Sequence, residues 1–267
     1  MDSRFKAGFV QFDVRKGQVE ANLKTALRYL AQLASCNVRL AVLPEMFSCS
    51  FDNENLKEHS KHTDDILNEL SSLAADSGMA VCGSLPRIKN GRIYNTQVFI
   101  DIDGKLKAEY HKIHLFRPTD EHMYYACGSE MVVVDSAVGR AGLMICYDLR
   151  FPELARSLCV EGAKIIVVSA QWPEKRKDHW QILIRARAVE NQVFVICANR
   201  TGRDQELSFP GMSMIVDPTG NVLAAAGSEE TTGCAVIDPG LTEQCRAMIP
   251  CMEDRRQDVY GQDCKLC

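Results

Sequence analysis

Apolar runs of strand length alternate with amphipathic stretches of helical length, and this alternation most constrains how the 267 residues can fold. Leu23, Leu27 and Leu30 recur at helical spacing, and the apolar run 38–43 follows them directly. The predicted helices cover about 18–35, 63–78, 152–161 and 178–190, and the predicted strands 5–12, 38–43, 79–85, 93–101, 106–110, 142–146, 165–169, 193–199, 213–216, 222–226 and 234–238. The pattern predicts an α/β fold with strands inside and helices outside.

Turn residues refine this prediction. The pairs Asn90-Gly91 and Asp103-Gly104 separate three of the strands and favour hairpins, so part of the sheet should be antiparallel and the sheet system mixed. Thr63 is predicted as a helix N-cap and Gly78 as the end of that helix. Because no composition break or linker divides the chain, we expect one domain over 1–267, with a polar tail from about residue 250.

Charge and cysteine content exclude several classes of protein. The net charge of −4 offers no general attraction to nucleic acid, and no apolar run reaches the roughly 18 residues that a membrane span needs. Twelve cysteines without an apolar leader at the start favour reduced thiols in the cytoplasm over a disulfide framework. The CxxC pair at 264–267 stands alone, which is weak support for zinc or redox chemistry.

Cys146 stands where a predicted strand ends and a helix is about to begin. Reactive residues favour the carboxyl ends of such strands, because a rigid strand then holds them at the open edge of a sheet. Asp148 and Arg150 follow at once, and charges so close to a buried strand need partners. The alternative is that Cys146 is one more small buried hydrophobe, as most free cysteines are.

Two other strand ends carry charged residues. Glu45 follows the apolar strand 38–43, where desolvation would raise its pKa and make it a usable base, unless it lies on a solvated loop. Lys112 lies in YHKIHLF (110–116), where it could stabilise an oxyanion or simply form an exposed basic strand end. The two histidines beside it, His111 and His114, lack the nearby ligands of a recognised metal site.

Together and in this order, LPE (43–45), YHKIHLF (110–116) and GLMICYDLRFPE (142–153) resemble the three signatures of the carbon–nitrogen hydrolase (nitrilase) superfamily. The segments RARAVEN (185–191) and DPTG (217–220) are also similar to this family, so the resemblance covers nearly the whole chain. It implies a four-layer αββα sandwich with helices outside. It also implies a homodimer or higher homo-oligomer, with the tail from about 250 at the dimer interface.

The resemblance also implies a catalytic set of Glu45, Lys112 and Cys146, joined by Glu121 as a second acid. In that chemistry Cys146 attacks an amide carbonyl and Glu45 moves protons. Lys112 and the backbone N–H of Tyr147 bind the oxyanion. The product is a carboxylic acid and ammonia, and neither a metal nor an organic cofactor is needed.

For the substrate, the signatures are most similar to the ω-amidase branch, which acts on small carboxylate-bearing amides such as α-keto acid monoamides. We expect Trp172 to line the pocket and Arg176, or its neighbours Lys175 and Lys177, to bind the carboxylate, unless these three form a solvated charge run. An amidase for deaminated glutathione and another nitrilase-family amide or nitrile hydrolase remain alternatives. An inactive scaffold and a thiol-based redox or metal protein are further ones. Cys49 and Cys127 should lie near the pocket without a catalytic role.

Overall fold

The computed structural model describes residues 4–204 and 207–260. The helices are α1 (Val19–Ser35), α2 (Leu56–His59), α3 (Thr63–Ser77), α4 (Glu121–Tyr124), α5 (Pro152–Val160), α6 (Lys177–Asn191), α7 (Pro239–Met248) and α8 (Gln257–Tyr260). The strands are β1 (Phe5–Gln11), β2 (Val38–Val42), β3 (Ala80–Lys89), β4 (Arg92–Ile100), β5 (Leu106–His111), β6 (Val133–Ser136), β7 (Gly139–Ile145), β8 (Ile165–Ala170), β9 (Phe194–Asn199), β10 (Thr201–Arg203), β11 (Ser208–Pro210), β12 (Met214–Val216), β13 (Val222–Ala225) and β14 (Thr231–Ile237).

The strands form two six-stranded mixed sheets and a small hairpin. The first sheet has the order β14-β1-β2-β3-β4-β5, the second has the order β13-β12-β9-β8-β7-β6, and β10 pairs with β11. Strands β1, β2 and β3 run parallel at the centre of the first sheet, as β7, β8 and β9 do in the second. The outer strands are antiparallel, which confirms the mixed sheet system predicted from the hairpin turns.

The layers follow from which face of each strand is apolar. On β1, Phe9 belongs to the core between the sheets, whereas the next residue, Val10, packs among residues of α1 and α3. Helices α1 and α3 cover the first sheet, and α5 and α6 cover the second. Contacts such as β1 with β9 and β3 with β8 join the two sheets face to face. The predicted four-layer αββα sandwich is therefore confirmed.

The strand directions bring several chain segments to one edge. Because β4 is antiparallel to both β3 and β5, strand β5 ends at the same edge as the parallel strands β2 and β3. Strands β7 and β8 end at the corresponding edge of the second sheet. The residues that follow these strand ends, among them Glu45, Lys112, Cys146 and Gln171, therefore meet where the two sheets face each other.

The structure corrects some local expectations. Thr63 is not an N-cap but the first residue of α3, and its hydroxyl donates to the carbonyl of Pro86 (2.6 Å). Gly78 ends that helix as predicted, with φ 63° and its N–H bonded to the carbonyl of Ala74. Helix α7 was not predicted, although Asp238 caps it by accepting from the N–H of Gly240 (2.9 Å).

Two predictions concern the ends of the chain and its relation to membranes. The CxxC pair at 264–267 lies outside the described residues. Over 4–204 and 207–260, no helix combines the length and apolar character required to cross a bilayer.

Candidate active site

Glu45 lies wholly buried at the start of the turn that follows β2. Its Oε1 accepts hydrogen bonds from Lys112 Nζ (2.8 Å) and Asn95 Nδ2 (2.8 Å), and its Oε2 accepts one from the backbone N–H of Gln171 (2.9 Å). The next residue, Met46, has φ 46°, an uncommon conformation for a residue with a side chain. Three separate segments, which carry Asn95, Lys112 and Gln171, thus hold this carboxylate.

Lys112 lies between two carboxylates. Besides Glu45, its Nζ donates to both oxygens of Glu121 (2.9 and 2.8 Å), and its side chain is 1% exposed. Glu121 is equally buried at the start of α4 and accepts the N–H of Phe116 (2.7 Å). Asn95 reaches Glu121 as well (3.3 Å), so one lysine and one amide hold the two acids together.

Cys146 begins the 3-10 turn that follows β7 and is 8% exposed. Its φ of 43° turns the chain sharply out of the sheet. Backbone strain of this kind is concentrated at functional sites, where the surrounding structure holds it in place. The thiol is therefore presented at a strand end, as predicted, by a conformation that the sequence alone does not reveal.

The ionisation of these groups is coupled. Burial raises the pKa of Glu45, although Lys112 opposes the shift. Burial and the neighbouring Glu45 carboxylate raise the pKa of Cys146 well above its ordinary value. The pKa of Lys112 is raised by Glu121 and Glu45, which together outweigh its burial. A raised pKa favours the protonated thiol, so forming a thiolate here would require a nearby base, and Glu45 is the adjacent carboxylate.

Asp148 joins the cysteine turn to the segment that carries Lys112. One of its oxygens accepts from the hydroxyl of Tyr110 (2.7 Å) and the N–H of Ile145 (2.9 Å). The other accepts from the N–H of His114 (3.2 Å) and lies 2.7 Å from the same residue's Nδ1. These hydrogen bonds provide the partners that a charged residue so close to a buried strand needs.

A cavity of about 790 Å³ opens over these residues. Glu45, Lys112, Glu121 and Cys146 all line it, and so do the predicted substrate-contacting residues Tyr147, Trp172 and Arg176. Arg150 lines it too, whereas Lys175 and Lys177 do not. Of the predicted basic trio, the structure therefore brings only Arg176 to the site.

Arg150 and Arg176 stand on aromatic rings of the cavity wall. The guanidinium of Arg150 lies 4.6 Å from the centre of the Trp172 ring, and that of Arg176 lies 5.5 Å from the centre of the Phe116 ring. Burial and the nearby charge of Arg176 lower the pKa of Arg150. Over residues 4–204 and 207–260, neither arginine forms an ion pair with a carboxylate. The guanidinium groups of Arg150 and Arg176 are thus available to bind an anion.

The histidines next to Lys112 have structural partners. His111 stacks on Tyr94 (4.4 Å between ring centres) and lies 2.8 Å from the hydroxyl of Thr96. His114 stacks on Phe151 (3.6 Å) beside Asp148. In the described part of the chain, no three His, Cys, Asp or Glu side chains are grouped as metal ligands would be.

The other cysteines divide by exposure. All ten in the described ranges are free thiols. Cys49 is buried, and burial raises its pKa to about 12; Cys127 is exposed. Neither lines the cavity, so the expectation that they lie near it without reacting there stays a prediction.

Sequence reasoning missed Asn95, which touches both buried acids. It lies within the predicted strand 93–101, with no motif to mark it. The only available signal is the pairing of β4 with β5, which places residue 95 next to the segment of Lys112, whose N–H bonds to the carbonyl of Asn95 (2.9 Å).

Comparison with known proteins agrees with this geometry. The family model described as carbon–nitrogen hydrolase matches residues 6–247. The chain belongs to the carbon–nitrogen hydrolase family. This membership confirms the resemblance, and with it the prediction of a hydrolase that acts on carbon–nitrogen bonds other than peptide bonds.

Relatives within this carbon–nitrogen hydrolase family confirm the resemblance to the ω-amidase branch. The 2-oxoglutaramate amidase of Bacillus subtilis is 38% identical, over 94% of this chain and 97% of its own. The ω-amidase NIT2 of Xenopus tropicalis is 33% identical, over 97% and 98%. The crystal structure of Saccharomyces cerevisiae Nit3, a nitrilase-superfamily member, superposes with a TM-score of 0.87 at 29% identity, covering 95% and 97% of the two chains.

Proposed function

We propose that this carbon–nitrogen hydrolase is an ω-amidase-like thiol amidase. It hydrolyses a small carboxylate-bearing amide, such as an α-keto acid monoamide, to the carboxylic acid and ammonia. The observation that carries the proposal is that one cavity is lined by the strand-end thiol of Cys146 and by the buried Glu45 carboxylate, which accepts a hydrogen bond from Lys112 (2.8 Å). The relatives named 2-oxoglutaramate amidase and ω-amidase support the choice of substrate class.

In the first half of the reaction, the sulfur of Cys146 attacks the amide carbonyl carbon while its proton passes to Glu45. Negative charge develops on the carbonyl oxygen, where Lys112 and the backbone N–H of Tyr147 bind it. Glu45 then gives the proton to the amide nitrogen as the carbon–nitrogen bond breaks. Ammonia leaves, and an acyl thioester remains on Cys146.

In the second half, a water molecule attacks the thioester carbonyl and Glu45 takes its proton. The same donors bind the second oxyanion. Its collapse releases the carboxylic acid, and the proton held by Glu45 returns to the sulfur. Glu121 orients Lys112 throughout, since both of its oxygens accept from the lysine.

The wall formed by Arg150 and Arg176 binds the distal carboxylate of the substrate. Each guanidinium is held on an aromatic ring, and a bound anion relieves the repulsion by Arg176 that adds to burial in lowering the pKa of Arg150. Bidentate hydrogen bonding between arginine and carboxylate also fixes the orientation of the substrate. A cavity of about 790 Å³ exceeds the needs of a five-carbon amide, which favours an amide of deaminated-glutathione size as a second candidate.

Assembly and location are also part of the proposal. Ile182 and Val189 of α6 are 64% and 50% exposed, although they are large and apolar, and such a face suits a homodimer. The tail from about residue 250 would contribute to that interface. The free thiols suit a reducing cytoplasm, where a catalytic thiol also survives. Light scattering of the purified protein tests the dimer.

The decisive experiment measures ammonia release from α-ketoglutaramate, α-ketosuccinamate, deaminated glutathione, glutamine, asparagine and simple nitriles. We expect turnover of the α-keto acid monoamides, none with Cys146→Ala, and wild-type turnover with Cys36→Ser, an exposed thiol outside the cavity. Turnover by Cys146→Ala would reject the mechanism. A wild-type protein silent on every substrate would favour an inactive scaffold.

A further inference from the structure

The mechanism does not use Arg200, a buried cation at the edge of the cavity. This arginine follows β9, lines the cavity and is only 1% exposed. Its outer side is neutralised by Asp13 (3.0 Å from Nη2), and its guanidinium lies 4.3 Å from the centre of the Phe209 ring. Asp204 lies 3.2 Å from Nη1. Burying a guanidinium is expensive unless every side of it has a partner. The role of Arg200 can therefore be inferred from the uncharged groups that it contacts on its inner side.

On that inner side, Nη1 of Arg200 donates to the side-chain oxygen of Gln171 and to the hydroxyl of Ser50, both at 3.0 Å. The Ser50 hydroxyl donates to the same Gln171 oxygen (3.0 Å). Because a guanidinium only donates, this triangle fixes which end of the Gln171 amide is the oxygen. The NH₂ end then points the other way.

The NH₂ end of Gln171 donates to the backbone carbonyl of Glu45 (2.8 Å), while the backbone N–H of Gln171 donates to Glu45 Oε2 (2.9 Å). Gln171 thus holds the base at its main chain and at its carboxylate. Ser50, with φ 55°, directly follows the turn that begins with Glu45. Arg200 therefore fixes both ends of residues 45–50 through contacts with one amide and one hydroxyl.

We propose that Arg200 is a positioning residue for Glu45 that acts through Gln171. The inference rests on the proposed function, in which Glu45 serves first the thiol, then the leaving nitrogen, then water. A base with three successive partners must keep its place within a fraction of an ångström, and a misplacement of about 1 Å can lower the rate on the order of 10²-fold. Arg200 supplies this rigidity without touching the reacting atoms.

A double-mutant cycle tests the relay. We expect Arg200→Gln and Gln171→Met each to lower kcat on the order of 10- to 100-fold, with KM changed less than about threefold. If Arg200 acts through Gln171, adding Arg200→Gln to Gln171→Met lowers kcat by less than about twofold more. Arg200→Lys should recover part of the rate, because it keeps the charge and one donor. Arg140→Gln removes an exposed arginine paired with Asp135 and serves as the matched control.

A second measurement separates positioning from folding. In the single variants the hydrogen bond from Gln171 that lowers the pKa of Glu45 weakens, so the acid limb of kcat/KM should move to higher pH. Multiplicative losses in the double mutant, or a raised KM with unchanged kcat, would overturn the proposal. So would losses in rate that merely follow the fraction of folded protein.

The inference and the proposed function can fail separately. The rate at which iodoacetamide alkylates Cys146, followed by peptide mapping, reports proton transfer to Glu45 without any turnover. If the wild-type protein hydrolyses no amide, the proposed function falls, and slower alkylation in Arg200→Gln still supports the relay. Equal alkylation rates in the wild type and Arg200→Gln would reject it.

Discussion

Two charged regions face the same cavity and are built in opposite ways. The inner cluster consists of Glu45, Lys112 and Glu121, all nearly inaccessible, with Lys112 donating to both carboxylates at 2.8–2.9 Å. The arginine wall consists of Arg150 and Arg176, which lie on aromatic rings and lack a carboxylate partner over residues 4–204 and 207–260. The inner cluster contains its own counter-charges, whereas the arginine wall needs a bound anion to provide them.

In the proposed function, this difference separates the groups that act in the reaction from the groups that recognise the substrate. Charges that must act on a transition state are best held in place beforehand, because no reorganisation is then needed when the reaction occurs. Charges that recognise a substrate gain most when they are unpaired before it arrives. Removing a residue of the inner cluster should therefore lower kcat, whereas removing one of the arginine wall should raise KM.

The largest effect should come from Lys112→Met. Loss of the oxyanion donor lowers kcat on the order of 10²–10³-fold or more. Loss of the cation that lies between two buried acids also destabilises the fold by about 3–5 kcal/mol. Steady-state kinetics and urea unfolding measure the two effects. Lys105→Met, which removes an exposed lysine paired with Asp103 (2.9 Å), is the control, and a near-normal kcat in Lys112→Met would contradict the role of the cluster.

A smaller effect is expected at the arginine wall. Arg150→Gln and Arg176→Gln should each raise KM for α-ketoglutaramate roughly 10- to 100-fold with little change in kcat, because a hydrogen bond to a charged group contributes about 1.5–3 kcal/mol. A neutral amide of equal length should be unaffected. Lys175→Gln, which alters an exposed neighbour outside the cavity, should behave as wild type. If Arg150→Gln or Arg176→Gln lowered kcat without raising KM, the arginine wall would not differ from the inner cluster in the way expected.

The pH dependence of kcat/KM tests the inner cluster more finely. Glu45 must be deprotonated to accept the thiol proton, and its pKa is raised by burial. Activity should therefore fall about tenfold per pH unit below a midpoint that lies above the ordinary glutamate value. Asn95→Leu removes a donor to the carboxylate, which should move that midpoint higher still. A flat profile between pH 5 and 9 would exclude Glu45 as the base.

The smallest effect should come from Tyr110→Phe. Tyr110 donates to Asp148, which lies between the cysteine and Arg150 in sequence and so braces both regions. Its loss should lower the free energy of unfolding by about 1 kcal/mol and kcat by less than about threefold, because Asp148 keeps its other donors. A loss of rate as large as that of Lys112→Met would instead place Tyr110 in the chemistry.

Sequence alone predicts those site residues that directly follow a strand recognisable from its own residues. Glu45, Lys112 and Cys146 each follow a recognisable strand, and strand direction brings them together. Asn95 and the contacts of Arg200 could not be predicted, since they depend on the register of β4 and on the closure of one sheet over the other. Helix α7 was not predicted; it begins with Pro239-Gly240, a pair more typical of a turn than of a helix.

The proposed base and nucleophile belong to different sheets: Glu45 follows β2 of the first, and Cys146 follows β7 of the second. The distance between Glu45 and Cys146 is therefore set by the apolar side chains packed between the two sheets, among them Phe99 and Val167. These side chains fix the spacing of the two sheets, because protein interiors are packed as densely as organic crystals and resist compression. A substitution there that widened or narrowed this spacing would alter the reacting distance while leaving every polar residue of the site unchanged.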